Sequence, residues 1–177
     1  MPKNKANHSE TRRDDWGTPQ DLFDSLNRAF NFAVDLAADE HNTKCAEYCS
    51  AENGDNGFFD LRVEDFEHLD YKWCWCNPPY GHKYGGLEKW ITEIHTKVSK
   101  ALVLIPAATG NKWWQRAVWS KARSITFIKG RLRFDGAPEV AQFDSTLITL
   151  GRYAPLSREE HSALIELGAC VTDWCID

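Results

Sequence analysis

Two kinds of apolar pattern alternate along this chain of 177 residues. Apolar residues at helical spacing predict amphipathic helices over residues 19–30, 86–100 and 112–121, and a fourth helix between residues 157 and 168. Short apolar runs predict strands over residues 32–36, 71–76, 101–106, 124–128 and 145–150, a short strand within 129–134 and an edge strand over 170–176. Because strands alternate with helices, we expect an α/β fold with a mostly parallel sheet flanked by helices.

The length of the chain suits a single domain, which we place at residues 14–177. A polar stretch over residues 1–13 precedes it, and we expect this leader to be disordered. The interval between Asp35 and Asn77 is polar and weakly periodic. It has room for two short strands and one short helix.

Several classes of protein are disfavoured by composition. No apolar run approaches the roughly 20 residues that span a membrane, and the leader lacks the apolar centre of a signal peptide. Six cysteines are present, but none of their spacings is the C-x2-C of structural zinc sites. We therefore expect buried free thiols in a reducing cytoplasm and no metal site.

The chemistry of the chain centres on Asn77-Pro78-Pro79-Tyr80, directly after the strand predicted at 71–76. Two prolines fix two φ angles and remove two backbone N–H donors, so the turn is stiff and rich in acceptors. A planar substrate with an –NH2 group could donate to the Asn77 side chain and the Pro78 carbonyl while it stacks on Tyr80. The alternative is a rigid turn with no catalytic role.

Two further positions flank this motif. Asp35 lies near the carboxyl end of a predicted strand, where ligand crevices of open α/β sheets occur, so we expect it in such a crevice. The alternative is a carboxylate that caps the next turn. Thr18 is predicted to cap the first helix, and Pro19 to be its first residue.

Charge is unevenly distributed, although the net charge is −5. The window from residue 112 to residue 133 contains seven basic residues, three tryptophans and no Asp or Glu. Its basic members are Lys112, Arg116, Lys121, Arg123, Lys129, Arg131 and Arg133. Basic residues interleaved with aromatic ones suit nucleic-acid contacts, and the alternative is a solvated surface.

Five segments together carry a resemblance to a known family. They are Trp16-Gly17-Thr18-Pro19, Val34-Asp35-Leu36-Ala37-Ala38, Cys76-Asn77-Pro78-Pro79-Tyr80-Gly81, Val103-Leu104-Ile105-Pro106 and Lys129-Gly130-Arg131-Leu132-Arg133-Phe134. From about residue 15 to residue 151, the chain resembles phage-type DNA N6-adenine methyltransferases. The resemblance implies a Rossmann-like class I methyltransferase fold and S-adenosylmethionine as cofactor. It also implies a cytoplasmic protein, in the host cell if phage-encoded.

The resemblance further implies roles for individual residues. The cofactor would contact Trp16, Thr18, Pro19, Asp35 and Ala37, and an acid would bind its ribose. Asp55 is our first choice for this acid, with Asp39 and Asp60 as alternatives. The catalytic residues would be Asn77, Pro78, Pro79 and Tyr80.

Double-stranded DNA is the implied partner. Lys83 and Tyr84 would lie near an adenine flipped from the duplex, and Tyr80 would stack on it. Phosphates would contact Lys112, Arg116, Lys129, Arg131 and Arg133. Sequence specificity should be short or loose, because the chain has little room for a separate recognition domain, and a monomer is plausible.

Two alternatives to DNA adenine methylation stay open at this point. The same chemistry could act on adenine in RNA or on a glutamine side chain of a protein. A non-catalytic DNA-binding module could also keep this fold, although the intact Asn77 and Tyr80 favour an enzyme.

Overall fold

The computed structural model describes residues 16–51, 57–82 and 84–172. In this part of the chain, seven strands form one sheet with helices on both faces. The strands are β1 Val34–Asp35, β2 Glu47–Tyr48, β3 Trp73–Cys76, β4 Lys100–Pro106, β5 Ser124–Ile128, β6 Ser145–Leu150 and β7 Gly168–Thr172. The helices are α1 Gln20–Phe30, α2 Gly86–Lys97, α3 Trp119–Lys121 and α4 Arg158–Leu167, with a 3-10 helix at Glu64–Leu69 and a π-helix at Trp114–Val118.

The strand order is β2-β1-β3-β4-β6-β5-β7, which confirms the predicted α/β fold class. The sheet is mixed: β2, β1, β3 and β4 are mutually parallel, whereas β4, β6, β5 and β7 pair antiparallel. The reversal has a local cause. The connection over residues 129–144 contains no helix, so β6 returns directly between β4 and β5 instead of crossing over in parallel.

This topology gives the sheet two functionally different edges. We define the carboxyl edge as the one at which β1, β3, β4 and β5 end, after Asp35, Cys76, Pro106 and Ile128. The amino edge is the opposite one, where β4 and β5 begin and β6 ends at Leu150.

The core has two layers, one on each face of the sheet. Cys74 and Cys76 pack with α2 on one face, and Trp73 and Trp75 pack with α1 on the other. The predicted alternation along β3 is therefore confirmed. Trp73 also donates from Nε1 to the buried Glu160 carboxylate of α4, at 2.6 Å.

The helix limits differ from the predicted ones at two places. Thr18 does not cap α1, because Pro19 occupies the N-cap position and no side chain caps the helix. The second helix ends at Lys97 rather than at residue 100, because Lys100 already pairs with Trp73 in the sheet. The capping box of α4 is as predicted: Ser157 accepts from the Glu160 amide, and the Glu160 carboxylate accepts from the Ser157 amide.

The strands also differ in detail. The strand predicted within 129–134 is wrong, because β6 and β7 already pair with both sides of β5 and leave this segment no partner. The strand predicted over 32–36 has only two residues, although the amides of Ala33 and Leu36 still donate to β3. The predicted edge strand begins at Gly168 and is described to Thr172.

Several other expectations can be compared with the described residues. Cys45, Cys49, Cys74, Cys76 and Cys170 are free thiols, and Cys175 lies outside the described part of the chain. Among the residues that the structure describes, no His, Cys, Asp and Glu cluster could hold a metal ion. Within the same ranges, no helix has the length and apolar character to cross a membrane. The leader predicted at residues 1–13 falls outside the described residues.

A buried lysine ties the irregular segment after residue 56 to the fold. The Lys97 ammonium donates to the carbonyl oxygens of Phe58 and Phe59, at 3.0 and 3.1 Å, and pairs with Glu93 at 3.1 Å. Phe58 is fully buried and stacks on Trp90 of α2, with ring centroids 5.1 Å apart. The ammonium thus satisfies two carbonyl groups that water would otherwise have to reach.

We expect Lys97→Met to lower the free energy of unfolding by about 2–4 kcal/mol, because it leaves these carbonyl oxygens without donors. Urea denaturation of the variant measures the effect. The exposed Lys72→Met is the control and should change the free energy by less than about 0.5 kcal/mol. Equal changes in the two variants would contradict the role of Lys97.

Candidate active site

A cleft of about 390 Å³ opens at the carboxyl edge of the sheet. This volume lies within the range of about 300–1,000 Å³ that small-molecule sites occupy. Its walls come from the N-terminal segment, the loop after β1, the end of β2 and the turn after β3. The lining residues are Trp16, Gly17, Thr18, Asp35, Ala37, Ala38, Asp39, Asn42, Ser50, Ala51, Asn77, Pro79 and Tyr84.

The amide of Asn77 is fixed in this cleft by hydrogen bonds at both ends. Its Nδ2 donates to the Trp16 carbonyl oxygen at 3.0 Å, and its Oδ1 accepts from the Tyr80 hydroxyl at 2.9 Å. A flipped amide would place Oδ1 against the Trp16 carbonyl oxygen, two acceptors with no donor between them, so the Trp16 contact fixes the orientation. Because a carbonyl oxygen has two lone pairs, Oδ1 keeps one for a further donor.

Tyr80 supports this arrangement from behind the cleft. Its hydroxyl also lies 3.4 Å from the Leu104 carbonyl oxygen, and its ring meets Phe134 and Phe143 edge-on. Burial raises the pKa of the phenol further above its ordinary value, so the hydroxyl stays protonated as a donor to Asn77. The sequence predicted an aromatic surface here and did not reveal the hydroxyl contact.

Asp35 both lines the cleft and caps the turn after β1, so the two alternatives for it are combined. Its carboxylate accepts from the amides of Ala37 and Lys44, at 3.3 and 3.2 Å. Burial raises the pKa of Asp35 to about 6, and the two amides and the Lys44 ammonium oppose this rise. The carboxyl group is therefore mainly ionised at neutral pH.

Lys44 connects three parts of the site, and no motif pointed to it. Its largely buried ammonium donates to the Gln20 side chain at 2.9 Å and to the Asp135 carboxylate at 3.0 Å. The Asp135 amide in turn donates to the Gly17 carbonyl oxygen at 2.9 Å. The N-terminal segment, the loop after β1 and the segment after β5 are thus bound together.

The residues predicted to bind the cofactor are mostly brought together. Trp16, Thr18, Asp35 and Ala37 line the cleft, and Trp16 also stacks on Phe134. Pro19 is not among the described lining residues and instead precedes α1 as its N-cap residue.

The three acids considered for the ribose have different positions. Asp39 lines the cleft, where its carboxylate also accepts from the amides of His41 and Asn42. Asp60 is not among the described lining residues. Asp55, our first choice, lies outside the described part of the chain.

The residues of the basic window over 112–133 are split between the two edges of the sheet. Lys129, Arg131 and Arg133 are exposed after the end of β5, at the carboxyl edge, and Tyr84 lines the cleft itself. Lys83 lies outside the described residues. The helical segment over 112–121, which precedes β5, runs from the carboxyl edge to the amino edge. Arg123 therefore lies at the edge opposite to the cleft.

Some of these basic side chains already have acidic partners. Arg116 binds the Glu88 carboxylate through two nitrogens, at 2.8 and 2.7 Å, which lowers the pKa of Glu88. Arg131 lies 3.5 Å from Asp144, and Arg133 donates to the Pro138 carbonyl oxygen at 3.3 Å. All of these pairs are exposed, so a competing phosphate could replace them.

A comparison with protein families now complements this geometry. The profile of the DNA N-6-adenine-methyltransferase (Dam) family matches residues 5–149 of the chain. The chain belongs to this family. The match includes every described residue that lines the cleft, whereas α4 and β7 follow it. A comparison with curated proteins found no match.

Membership of the Dam family confirms the resemblance that the five sequence segments carry. The cleft lies at the carboxyl ends of parallel strands, where open α/β sheets bind their ligands. The roles of individual residues follow from the geometry above and are taken up below as proposals.

The pKa of Asp35 makes a testable contribution to stability. A rise from 3.8 to about 6 on folding corresponds to about 3 kcal/mol. The folded protein keeps this proton to a higher pH than the unfolded chain does. Asp35 therefore favours folding most at low pH, and its contribution falls between about pH 4 and pH 6.

The measured quantity is the free energy of unfolding of the native protein minus that of Asp35→Asn. We expect this difference to fall by about 2–3 kcal/mol between pH 4 and pH 7. Denaturant titrations of both proteins at several pH values measure this difference, in which other titrating groups cancel. A difference that stays constant over this range would show that the pKa of Asp35 is not raised.

Proposed function

We propose that the protein transfers a methyl group from S-adenosylmethionine to the N6 amine of adenine in DNA. The observation that carries the proposal is the fixed Asn77 amide, whose Oδ1 keeps a lone pair at a cleft lined by Asp35 and Trp16. Membership of the Dam family supports DNA adenine methylation as the reaction class.

The chemistry of the cleft fits the cofactor. An ionised, buried carboxylate at Asp35 suits the α-ammonium group of a methionine moiety, and the indole of Trp16 and the Thr18 hydroxyl offer apolar and polar contacts. Of the three acids considered for the ribose, Asp39 is the one that lines the described cleft, and it could bind the ribose hydroxyls. When bound, S-adenosylmethionine supplies an electrophilic methyl group on a positively charged sulfur.

Asn77 and Pro78 would activate the adenine amine. The N6 lone pair of adenine is delocalised into its ring, which makes the amine a poor nucleophile. Donation of its two N–H bonds to Asn77 Oδ1 and to the Pro78 carbonyl would favour a tetrahedral nitrogen with a localised lone pair. Both acceptors then bind the transition state more strongly than the ground state, which is the condition for catalysis.

Proton removal needs no dedicated base in this scheme. Tyr80 remains protonated because of its raised pKa, and its hydroxyl donates to Asn77. The amine nitrogen becomes positively charged on methyl transfer, and it then releases a proton to solvent. Tyr80 is therefore a support for Asn77, and its partly exposed ring remains our proposed stacking surface for the flipped base.

Double-stranded DNA would lie along the carboxyl edge. Lys129, Arg131 and Arg133 are exposed at the same edge of the sheet as the cleft and would contact phosphates. Lys112 begins the helical segment that follows β4, also at this edge. Tyr84 in the cleft wall would lie near the flipped adenine. The unstacking of one base requires a few kcal/mol, which the phosphate contacts would offset.

The decisive experiment is transfer of a labelled methyl group from S-adenosylmethionine to unmethylated duplex DNA, to RNA and to protein. N6-methyladenine in the digested DNA would support the proposal. Label only in RNA or protein would move the substrate to another class, and no label in any polymer would indicate a non-catalytic DNA-binding module.

Asn77→Ala should lower kcat by at least about two orders of magnitude, because the variant loses an acceptor that acts in the transition state. Cofactor affinity, measured by calorimetry, should change little. Asn77→Asp is the matched variant: it keeps an acceptor oxygen and should retain more activity than Asn77→Ala. Equal activity of the native protein and Asn77→Ala would exclude the acceptor role.

Arg131→Ala and Arg133→Ala should each weaken DNA binding and reduce the slope of log K against log salt by about 0.9 for each phosphate that the variant no longer neutralises. Fluorescence anisotropy with a labelled duplex at several salt concentrations measures both effects. Arg62→Ala, an exposed arginine outside this edge, is the control. An unchanged slope in both variants would remove these arginines from the DNA-binding surface.

A further inference from the structure

A second and larger cavity, of about 620 Å³, opens at the amino edge of the sheet. We call it the basic cavity. The start of β5 and the ends of β6 and β7 form its floor, and the turn over residues 151–157 and the first turn of α4 form its walls. Its lining includes Arg123, Thr149, Arg152, Tyr153, Arg158 and His161.

Positive charge dominates this cavity. Three arginines and one histidine line it, and none of its described lining residues is Asp or Glu. Arg152 lies 3.7 Å from the carboxylate of Asp70, which is not itself a lining residue. In a chain of net charge −5, such a concentration of arginines in one concave surface indicates an anionic ligand.

Backbone contacts hold the walls of the basic cavity in place without a ligand. The Arg123 amide donates to the Thr149 carbonyl oxygen, and the Tyr153 amide donates to the Ser99 carbonyl oxygen, both at 2.9 Å. Gly151 has a φ of 116° and approaches the Ser99 carbonyl so closely that a side chain would collide with it. The walls therefore need little ordering when a ligand binds.

Two features of the walls suit a phosphate group. Arginine side chains form bidentate hydrogen bonds with phosphate oxygens. The first turn of α4, which begins at Arg158, also presents amide groups that have no acceptor within the helix. The capping box provides acceptors for the amides of Ser157 and Glu160. It provides none for the amides of Arg158 and Glu159, which lie between them.

An exposed aromatic pair lies beside this charge. Tyr153 lines the cavity and is 56% exposed, and its ring lies 5.9 Å from that of Tyr71, which is 70% exposed. Exposed aromatic rings next to arginines are typical of surfaces on which nucleobases stack. The combination therefore favours a nucleotide over a simple anion.

The basic cavity is independent of the active-site cleft. The two lie at opposite edges of the sheet and share no lining residue. Most of the basic lining also comes from residues 152–172, which follow the segment matched by the Dam family profile. The cavity is thus a feature of this chain's C-terminal part.

We propose that the basic cavity binds the phosphate of a nucleotide, with Arg123 and Arg158 on the phosphate and Tyr153 against the base. The ligand is either a free nucleotide or a nucleotide unit of single-stranded nucleic acid, which present the same chemistry.

Thymidine 5′-monophosphate is a suitable probe, since it has no adenine that could enter the cofactor cleft. Titration into the isotope-labelled full chain should shift the backbone amide resonances of Gly151, Tyr153 and His161. The amides of Gly17 and Ala37 in the other cleft should stay unchanged. Thymidine without phosphate should bind at least about tenfold more weakly, because it lacks the group that the arginines contact.

The double variant Arg123→Gln/Arg158→Gln should weaken binding of the probe by at least about tenfold, because it loses two charged donors. Arg62→Gln is the matched control and should bind as the native protein does. Tyr153→Ala should weaken thymidine monophosphate more than inorganic phosphate. The amide spectra report whether each variant keeps its fold.

Binding of a single-stranded thymidine oligonucleotide, compared with that of thymidine monophosphate, distinguishes the two sources of the nucleotide. A length of about twelve residues lies within the site sizes of single-strand binders. Tighter binding of the oligonucleotide indicates a polymer, and preference for the monoester indicates a free nucleotide. The proposal would be overturned by shifts confined to the carboxyl edge, by equal binding of thymidine, or by a double variant that binds as the control does.

Discussion

The active-site cleft depends on the position of a single amide. Asn77 follows the last residue of β3, and its side chain is bound at one end by the Trp16 carbonyl and at the other by the Tyr80 hydroxyl. The two prolines between Asn77 and Tyr80 stiffen the turn that brings the hydroxyl back. The contact between Tyr80 and the Leu104 carbonyl joins this turn to β4, so the acceptor is oriented by three separate segments.

Lys44 extends this rigidity to the rest of the cleft. Its backbone amide donates to Asp35 in the cleft, whereas its ammonium donates to Asp135, two residues after Arg133. The segment proposed to contact DNA and the loop proposed to contact the cofactor are therefore joined by one side chain. Neither the family motif nor the charge pattern suggests this contact.

Topology separates the basic residues into two surfaces. The window over 112–133 is continuous in sequence, yet its helical segment runs from the carboxyl edge to the amino edge and β5 runs back. The arginines after β5 consequently lie at the carboxyl edge, as the cleft does, and Arg123 before β5 joins Arg152 and Arg158 at the basic cavity of the amino edge. The acidic net charge of the chain thus conceals two local concentrations of positive charge.

The sequence alone determined the fold class, the limits of β5, β6 and α4, and the motif at the centre of the cleft. These follow from local signals: apolar runs, helical spacing, a capping box and the stiffness of consecutive prolines. Two lining positions of the cleft also came from the sequence: Asp35 from its place at the end of a predicted strand, and Trp16 through the family resemblance.

Tertiary structure decided the remainder, because these features depend on pairing partners distant in sequence. The return of β6 between β4 and β5 made the sheet mixed and left residues 129–134 without a strand partner. The contacts of Lys44 with Asp135 and of Tyr80 with Asn77 join groups that no periodicity relates. The basic cavity likewise exists only because β5, β6 and α4 meet at one edge, which brings together arginines from separate parts of the chain.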